Sequence, residues 1–330
     1  MDIYACTSAD SYHFYTDGGL YFCGKTGKKA LLCDDCLEEF DVCTGNEISV
    51  VCETCEGDIL KFAKSGGEWI KSILLKSRSR SAAVFGMRIM ETKDDFHFIY
   101  GLNHGGEMLV VHQLLPYGQP QVISKIYDEN FFVRRDETGC IYIICKISEN
   151  LWHFFTYRSG GWSASEELCE GAEITDVMCV GYKRFCTVKS FGGETIFENG
   201  GESFAIPGER HRIARANGEF IVFSEVDGRT LYTSKEKSTG IISGGNSIDF
   251  HLRLPFGGEY SVCERCPGTL RRGIPKLFVL GNDFAVKDEV GGSAIIELTK
   301  RMIALEAKIE ELEKRTEMRD KGDSNSYSPQ

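Results

Sequence analysis

The sequence predicts an all-β fold, a β-propeller of about seven four-stranded blades, followed by a C-terminal α-helix that forms a coiled coil. Three observations predict it. A strand–turn–strand unit recurs along the chain, its copies fall at blade-like spacing, and after Gly291-Gly292 the apolar period changes from two to 3.5.

Each copy of the unit is an apolar, aromatic-rich run, a polar or glycine turn, and a second apolar run. The copies are Tyr12 to Phe22, Ile48 to Phe62, Phe96 to Val111, Cys140 to Phe155, Arg184 to Phe197, Glu219 to Tyr232 and Glu259 to Arg271. Their turns, at positions 17, 56, 105, 149, 192, 227 and 267, lie 35 to 49 residues apart, against the ~40–50 of a four-stranded blade. Each hairpin supplies two middle strands, and runs such as Lys29 to Leu32, Pro120 to Ile126 and Lys276 to Leu280 supply others. Weak strands at Ala82 to Met90 and Asn282 to Val290 leave six or eight blades open. The 36 glycines against 7 prolines, many of the glycines in pairs, fit many tight turns between short strands. The propeller occupies residues 1–290.

Two copies agree more closely. Ile59-Leu60-Lys61-Phe62-Ala63-Lys64-Ser65-Gly66-Gly67-Glu68-Trp69 and Leu151-Trp152-His153-Phe154-Phe155-Thr156-Tyr157-Arg158-Ser159-Gly160-Gly161-Trp162 both run from an apolar strand through a basic residue and Ser-Gly-Gly to a Trp. This pattern resembles the repeat of non-catalytic sialidase-like and fucose-lectin-like propellers, over two blades by residues and over the rest by spacing. The Asp-box of sialidase blades and the Trp-Asp of WD40 repeats are absent from the sequence.

Residues 293–318 form the helical segment. Ile295, Leu298, Met302, Leu305, Ile309 and Leu312 alternate steps of three and four, an a/d seam, with Ser293 as N-cap. Arg301 and Lys308 fall at g, and Glu306 and Glu313 at e, so a parallel partner sets Arg301 against Glu306. The Arg301-to-Glu306 segment resembles a trimer pattern, whereas Ile at a with Leu at d suits a dimer. A third arrangement packs the helix on the propeller through Ile296 and Ile303. Residues 319–330 form a polar tail expected to be disordered.

Net charge of −11 disfavours nucleic acid and anionic membrane. The sequence shows neither a leader-like amino terminus nor a membrane-length apolar run, so a cytoplasmic protein with reduced thiols is expected. The pairs Cys33/Cys36, Cys52/Cys55 and Cys263/Cys266 each have zinc-ligand spacing. Cys52/Cys55 and Cys263/Cys266 take the same position in non-adjacent repeats, too far apart to share one ion. They are read as strand cysteines, and no metal or cofactor is assigned. The seven histidines show no ligand spacing, and no nucleophile elbow, Walker loop or dinucleotide fingerprint occurs.

The binding candidates are Lys64, Trp69, Arg158 and Trp162. A Trp beside a cation stacks on a sugar face while the cation donates to hydroxyls or an acidic group. The competing reading is that each Trp packs between neighbouring blades. The expected function is a non-enzymatic interaction scaffold for a protein partner, made multivalent by the coiled coil. The alternatives are a glycan-binding lectin using the Trp/basic sites, and a hydrolase or lyase at the propeller mouth.

Overall fold

The structure is a computed structural model. It describes residues 2–241 apart from short stretches at 7–10, 25–28, 45–47, 78–81, 93–94, 137, 217–218, 228 and 236–239, and beyond them strands at 252–253, 261–264, 276–280 and 286–290. The helical segment 293–318 and the tail lie outside the described residues.

The chain lays down one antiparallel sheet after another. Sheet I comprises Asp2–Cys6, Ser11–Thr16, Leu20–Cys23 and Lys29–Cys33, with Leu252–Arg253 added parallel to the first strand. Sheet II comprises Cys36–Thr44, Ile48–Thr54, Ile59–Ser65 and Glu68–Leu75. Sheet III comprises Ala82–Glu91, Phe96–His104, Glu107–Leu115 and Gln121–Ile126. In sheet IV, Phe131–Arg135, Ile141–Ser148 and Leu151–Arg158 are followed by Gly161–Trp162 and Glu166–Glu170, both paired to the third strand. Sheet V is Glu173–Gly181, Arg184–Phe191, Glu194–Asn199 and Glu202–Ala205. Sheet VI is Glu209–Ala216, Glu219–Val226, Arg229–Ser234 and Gly240–Ile241. A last sheet joins Ser261–Glu264, Lys276–Leu280 and Val286–Val290.

In sheets I to VI the hairpins expected from the repeat are the second and third strands. Their turns use glycine where left-handed backbone is needed: Gly105-Gly106 takes φ of 60° and 85°, matching a two-residue hairpin loop. The weak strand at Ala82 to Met90 opens sheet III rather than adding a blade. Lys276–Leu280 lies in the middle of the last sheet, paired with Ser261–Glu264 through Glu264↔Lys276.

The core consists of layers between sheets. Ile141 to Lys146 is buried at every residue, because alternate side chains enter different layers. Ile141, Ile143 and Cys145 pack with Ile99 and Val110 of sheet III. Tyr142 and Ile144 pack with Ile174, Val177 and Cys179 of sheet V. Equivalent layers join sheets I and II, II and III, and V and VI. Successive opening strands meet as well: Cys36–Thr44 lies against Ala82–Glu91, and Glu173–Gly181 against both Phe131–Arg135 and Glu209–Ala216. Two buried carboxylates tie these strands together. Asp41 Oδ2 accepts from Ile89 N at 2.7 Å, and Asp176 Oδ2 accepts from Ile213 N at 2.7 Å. Sheets stacked face to face with their first strands side by side form a radial, propeller-type array.

Candidate functional site

The two Ser-Gly-Gly turns have different registers. In sheet II, Lys64 pairs directly with Trp69, so both side chains share a face. In sheet IV, Trp162 pairs with Tyr157, and Arg158 pairs with Gly161. The second turn lacks a counterpart of Glu68, and this one-residue difference moves the basic side chain to the opposite face.

Lys64 and Trp69 therefore point together at sheet I. The Trp69 ring meets Phe22 at 5.0 Å and Phe14 at 6.1 Å, both edge-on, and Lys64 Nζ lies 4.5 Å from the Phe22 centroid. Trp162 points at sheet III, where its Nε1 donates to His112 Nδ1 at 3.1 Å and its ring packs on Tyr157. Both indoles thus reach the preceding sheet. The Trp–cation pair forms at Lys64/Trp69, 5.9 Å apart, and Arg158 looks the other way.

Arg158 lies over the ring of Tyr182, 5.3 Å from its centroid. Tyr182 and Lys183 are the two turn residues between the first strands of sheet V, and Tyr182 is 48% exposed. A cleft of about 380 Å³ opens here between sheets IV and V, bordered by Thr156, Arg158, the Ser159–Ser163 turn, Tyr182 and Lys183. That volume is within the ~300–1,000 Å³ of small-ligand clefts.

The cleft has a fixed wall. Lys183, at φ 54°, donates its amide to Tyr142 Oη at 3.1 Å, and Tyr142 donates onward to Asp136 Oδ2 at 2.8 Å. Burial raises the Asp136 carboxyl, but donation from Thr138, Tyr142 and the Cys140 amide outweighs it and holds the group below the usual carboxylate range. Burial, foremost, pushes the Tyr142 phenol up, so it stays a donor. Lys183 Nζ is ion-paired with Glu166. Among the described residues Arg158 takes part in no ion pair, and the buried Thr156 hydroxyl has no protein partner. A guanidinium over an exposed phenol ring, with hydroxyls below, suits a ligand that stacks and accepts hydrogen bonds.

A cluster of cysteine side chains lies where sheet I passes into sheet II. Cys33 ends the last strand of sheet I, and Cys36 opens sheet II three residues later, paired with Thr54. Cys52 faces the thiols of Cys36 and Cys33. Contact with Cys36, then burial, pushes the Cys52 thiol far up. Burial, then the Asp35 carboxylate, pushes the Cys33 thiol up to about 11. The amide of Cys55 donates to the Asp35 carbonyl at 2.8 Å. Cys266 and the side chain of Cys263 lie outside the described residues, as do all the heptad positions.

Sequence reasoning missed Tyr182, a single aromatic in a turn with no motif around it. It also missed the Cys33/Cys36 and Cys52/Cys55 juxtaposition, which did leave a signal: Cys-x2-Cys-x15-Cys-x2-Cys is itself a zinc-site spacing.

These features define the chain as an all-β protein of the propeller class. Among solved structures it is similar to the Dos1 propeller, with a TM-score of 0.51 and 11% identity over 84% of this chain and 77% of that one. It also aligns with SapL1 lectin in complex with α-methyl fucoside (TM-score 0.46, 7% identity, 74% of this chain and 95% of that). A third match is the six-bladed Aleuria aurantia lectin (TM-score 0.42, 15% identity, 78% and 96%). At these identities the likeness is one of fold. No protein-family model matches the chain, and no curated protein matches it in sequence.

Proposed function

We propose that the chain is a carbohydrate-binding propeller whose site is the cleft between sheets IV and V. Of the scaffold, lectin and enzyme readings left open by the sequence, the cleft favours the lectin. The observation that carries it is the half-exposed Tyr182 ring with the Arg158 guanidinium 5.3 Å from its centroid and no carboxylate paired to that cation among the described residues. A sugar presents an apolar C–H face to the ring and hydroxyl or carboxylate oxygens to Arg158 and Ser159.

Two finer statements belong to the same proposal. The sheets, including the last at Ser261 to Val290, are the blades of a seven-bladed disc. Residues 293–318 join copies of that disc as a coiled coil, so that weak sites act together.

A glycan array probed with the full chain, followed by titration calorimetry on the best hit, tests the reading. Arg158→Ala and Tyr182→Ala are each expected to weaken binding about tenfold or more, in line with loss of a charge-assisted hydrogen bond or a stacking ring. Lys64→Ala, on the far face of another sheet, is expected to leave it unchanged. A blank array, or binding that survives both cleft variants, removes the proposal.

A further inference from the structure

The junction of sheets I and II places two Cys-x-x-Cys segments side by side. Only Asp34 and Asp35 separate the last strand of sheet I from the first of sheet II. The segment Cys33 to Cys36 therefore spans the boundary between two sheets. The segment Cys52 to Cys55 closes the adjoining strand of sheet II and enters its hairpin turn. Register brings them together: Cys36 pairs with Thr54, and the shift between Cys36 and Phe40 brings Phe40 opposite Cys52. The Cys55 amide, held on the Asp35 carbonyl at 2.8 Å, closes the pair of loops on themselves.

We propose that Cys33, Cys36, Cys52 and Cys55 bind one zinc ion that joins sheet I to sheet II. The four sulfurs come from two Cys-x2-Cys segments 15 residues apart, the arrangement of a closed, four-thiolate structural site. Cys33 and Cys52 are 3% and 0% exposed and lie in one core cluster with half-buried Cys36. Cys55 is exposed, which leaves an entry side for the ion. Cys33 Sγ donates to Asp35 Oδ1 at 3.0 Å and Cys36 Sγ to the Leu37 carbonyl at 2.8 Å, so both thiols must leave these oxygens to turn to a metal. Asp34 and Asp35, both exposed, add negative potential at the mouth. On binding, each thiol releases its proton to solvent as its sulfur coordinates, and no electron is transferred. The ion needs no open position, so the site is structural and separate from the cleft between sheets IV and V.

The test uses the full-length protein, purified without chelator and analysed for metal by mass spectrometry. About one zinc per chain is expected, with cobalt exchange producing the intense visible bands of a tetrahedral thiolate complex. Cys55→Ser keeps the buried thiols in place and is expected to lower zinc affinity about tenfold or more. Cys186→Ser, at a buried thiol of sheet V, is expected to leave it unchanged. Three outcomes overturn the proposal: no stoichiometric metal with all four thiols reactive after unfolding, a disulfide linking any two of the four, or zinc binding unmoved by Cys55→Ser but lost in Asp35→Asn.

Discussion

His97 Nδ1 lies 3.0 Å from His112 Nε2, and the two buried imidazoles form one directed hydrogen-bond chain. The Trp162 indole is a donor only, so His112 Nδ1 must accept from it. His112 Nε2 then carries the proton and donates to His97 Nδ1. That leaves His97 Nε2 to donate to Thr92 Oγ1 at 3.2 Å, and Thr92 to donate to the Asp95 carbonyl. Each ring is neutral in this arrangement, and a proton on either one sets two donors against each other. The chain links the Trp of sheet IV to two strands of sheet III.

This relationship makes stability pH-dependent. Burial, before any charge effect, pulls both histidines down to about 4, against about 6.5 in the unfolded chain. Between those values the unfolded state binds more protons, so stability is intact above about 6.5 and is lost as pH falls toward 4. At about pH 5 each ring costs on the order of 2 kcal/mol. Urea denaturation at near-neutral pH and near pH 5 measures the loss. A His97→Gln/His112→Gln variant is expected to flatten this part of the profile; an unchanged slope would remove the histidines as its cause.

Asp176 joins three sheets through one carboxylate. Oδ1 accepts from Arg134 Nη2 of sheet IV at 2.7 Å, and Oδ2 accepts from Ile213 N of sheet VI. Asp176→Ala takes the carboxylate from the Arg134 guanidinium, which keeps the Val133 and Val177 carbonyls, and leaves the buried Ile213 amide without its acceptor; it is expected to cost about 2 kcal/mol or more. Lys125→Ala, which breaks an exposed pair with Glu107, is expected to cost less than about 1 kcal/mol. Parallel melts of the two variants check the contrast.

The hairpins were legible because their strands are apolar runs that end in glycine or polar turns, as at Asn103 to Met108 and Ser190 to Thr195. The opening strands were harder to read. Glu39, Asp41 and Asp176 break the apolar pattern, because their carboxylates accept amides from the next sheet, and nothing local records that partner 37 to 48 residues away. At the site, Arg158 was legible as a basic residue before Ser-Gly-Gly. Its face depended on the missing counterpart of Glu68, and its partner Tyr182 belongs to another sheet.

Gly86 and Gly66 separate two costs that usually come together. Both take φ of 60°, but a Cβ on Gly66 meets open space, whereas one on Gly86 comes within 2.5 Å of the Phe131 ring of sheet IV. Gly66→Ala should cost about 1 kcal/mol for the backbone conformation alone. Gly86→Ala should cost a further ~1–3 kcal/mol, because it forces sheets III and IV apart. Equal losses in chemical denaturation would mean that Phe131 moves aside freely and that the two sheets are not tightly seated there.

The proposed coiled coil makes a prediction that separates affinity from avidity. A chain ending at residue 292 keeps the cleft between sheets IV and V, so its affinity for a soluble monovalent sugar is expected to match the full chain. Retention on a surface dense in the same sugar is expected to fall by about a hundredfold or more, since linked sites gain roughly 10²–10⁴ in avidity without any new contact. Light scattering on both chains supplies the second reading: a dimer or trimer that becomes a monomer on truncation. If both are monomers, the helix packs on its own disc through Ile296 and Ile303. Truncation should then expose an apolar face and lower the melting temperature instead of changing surface retention.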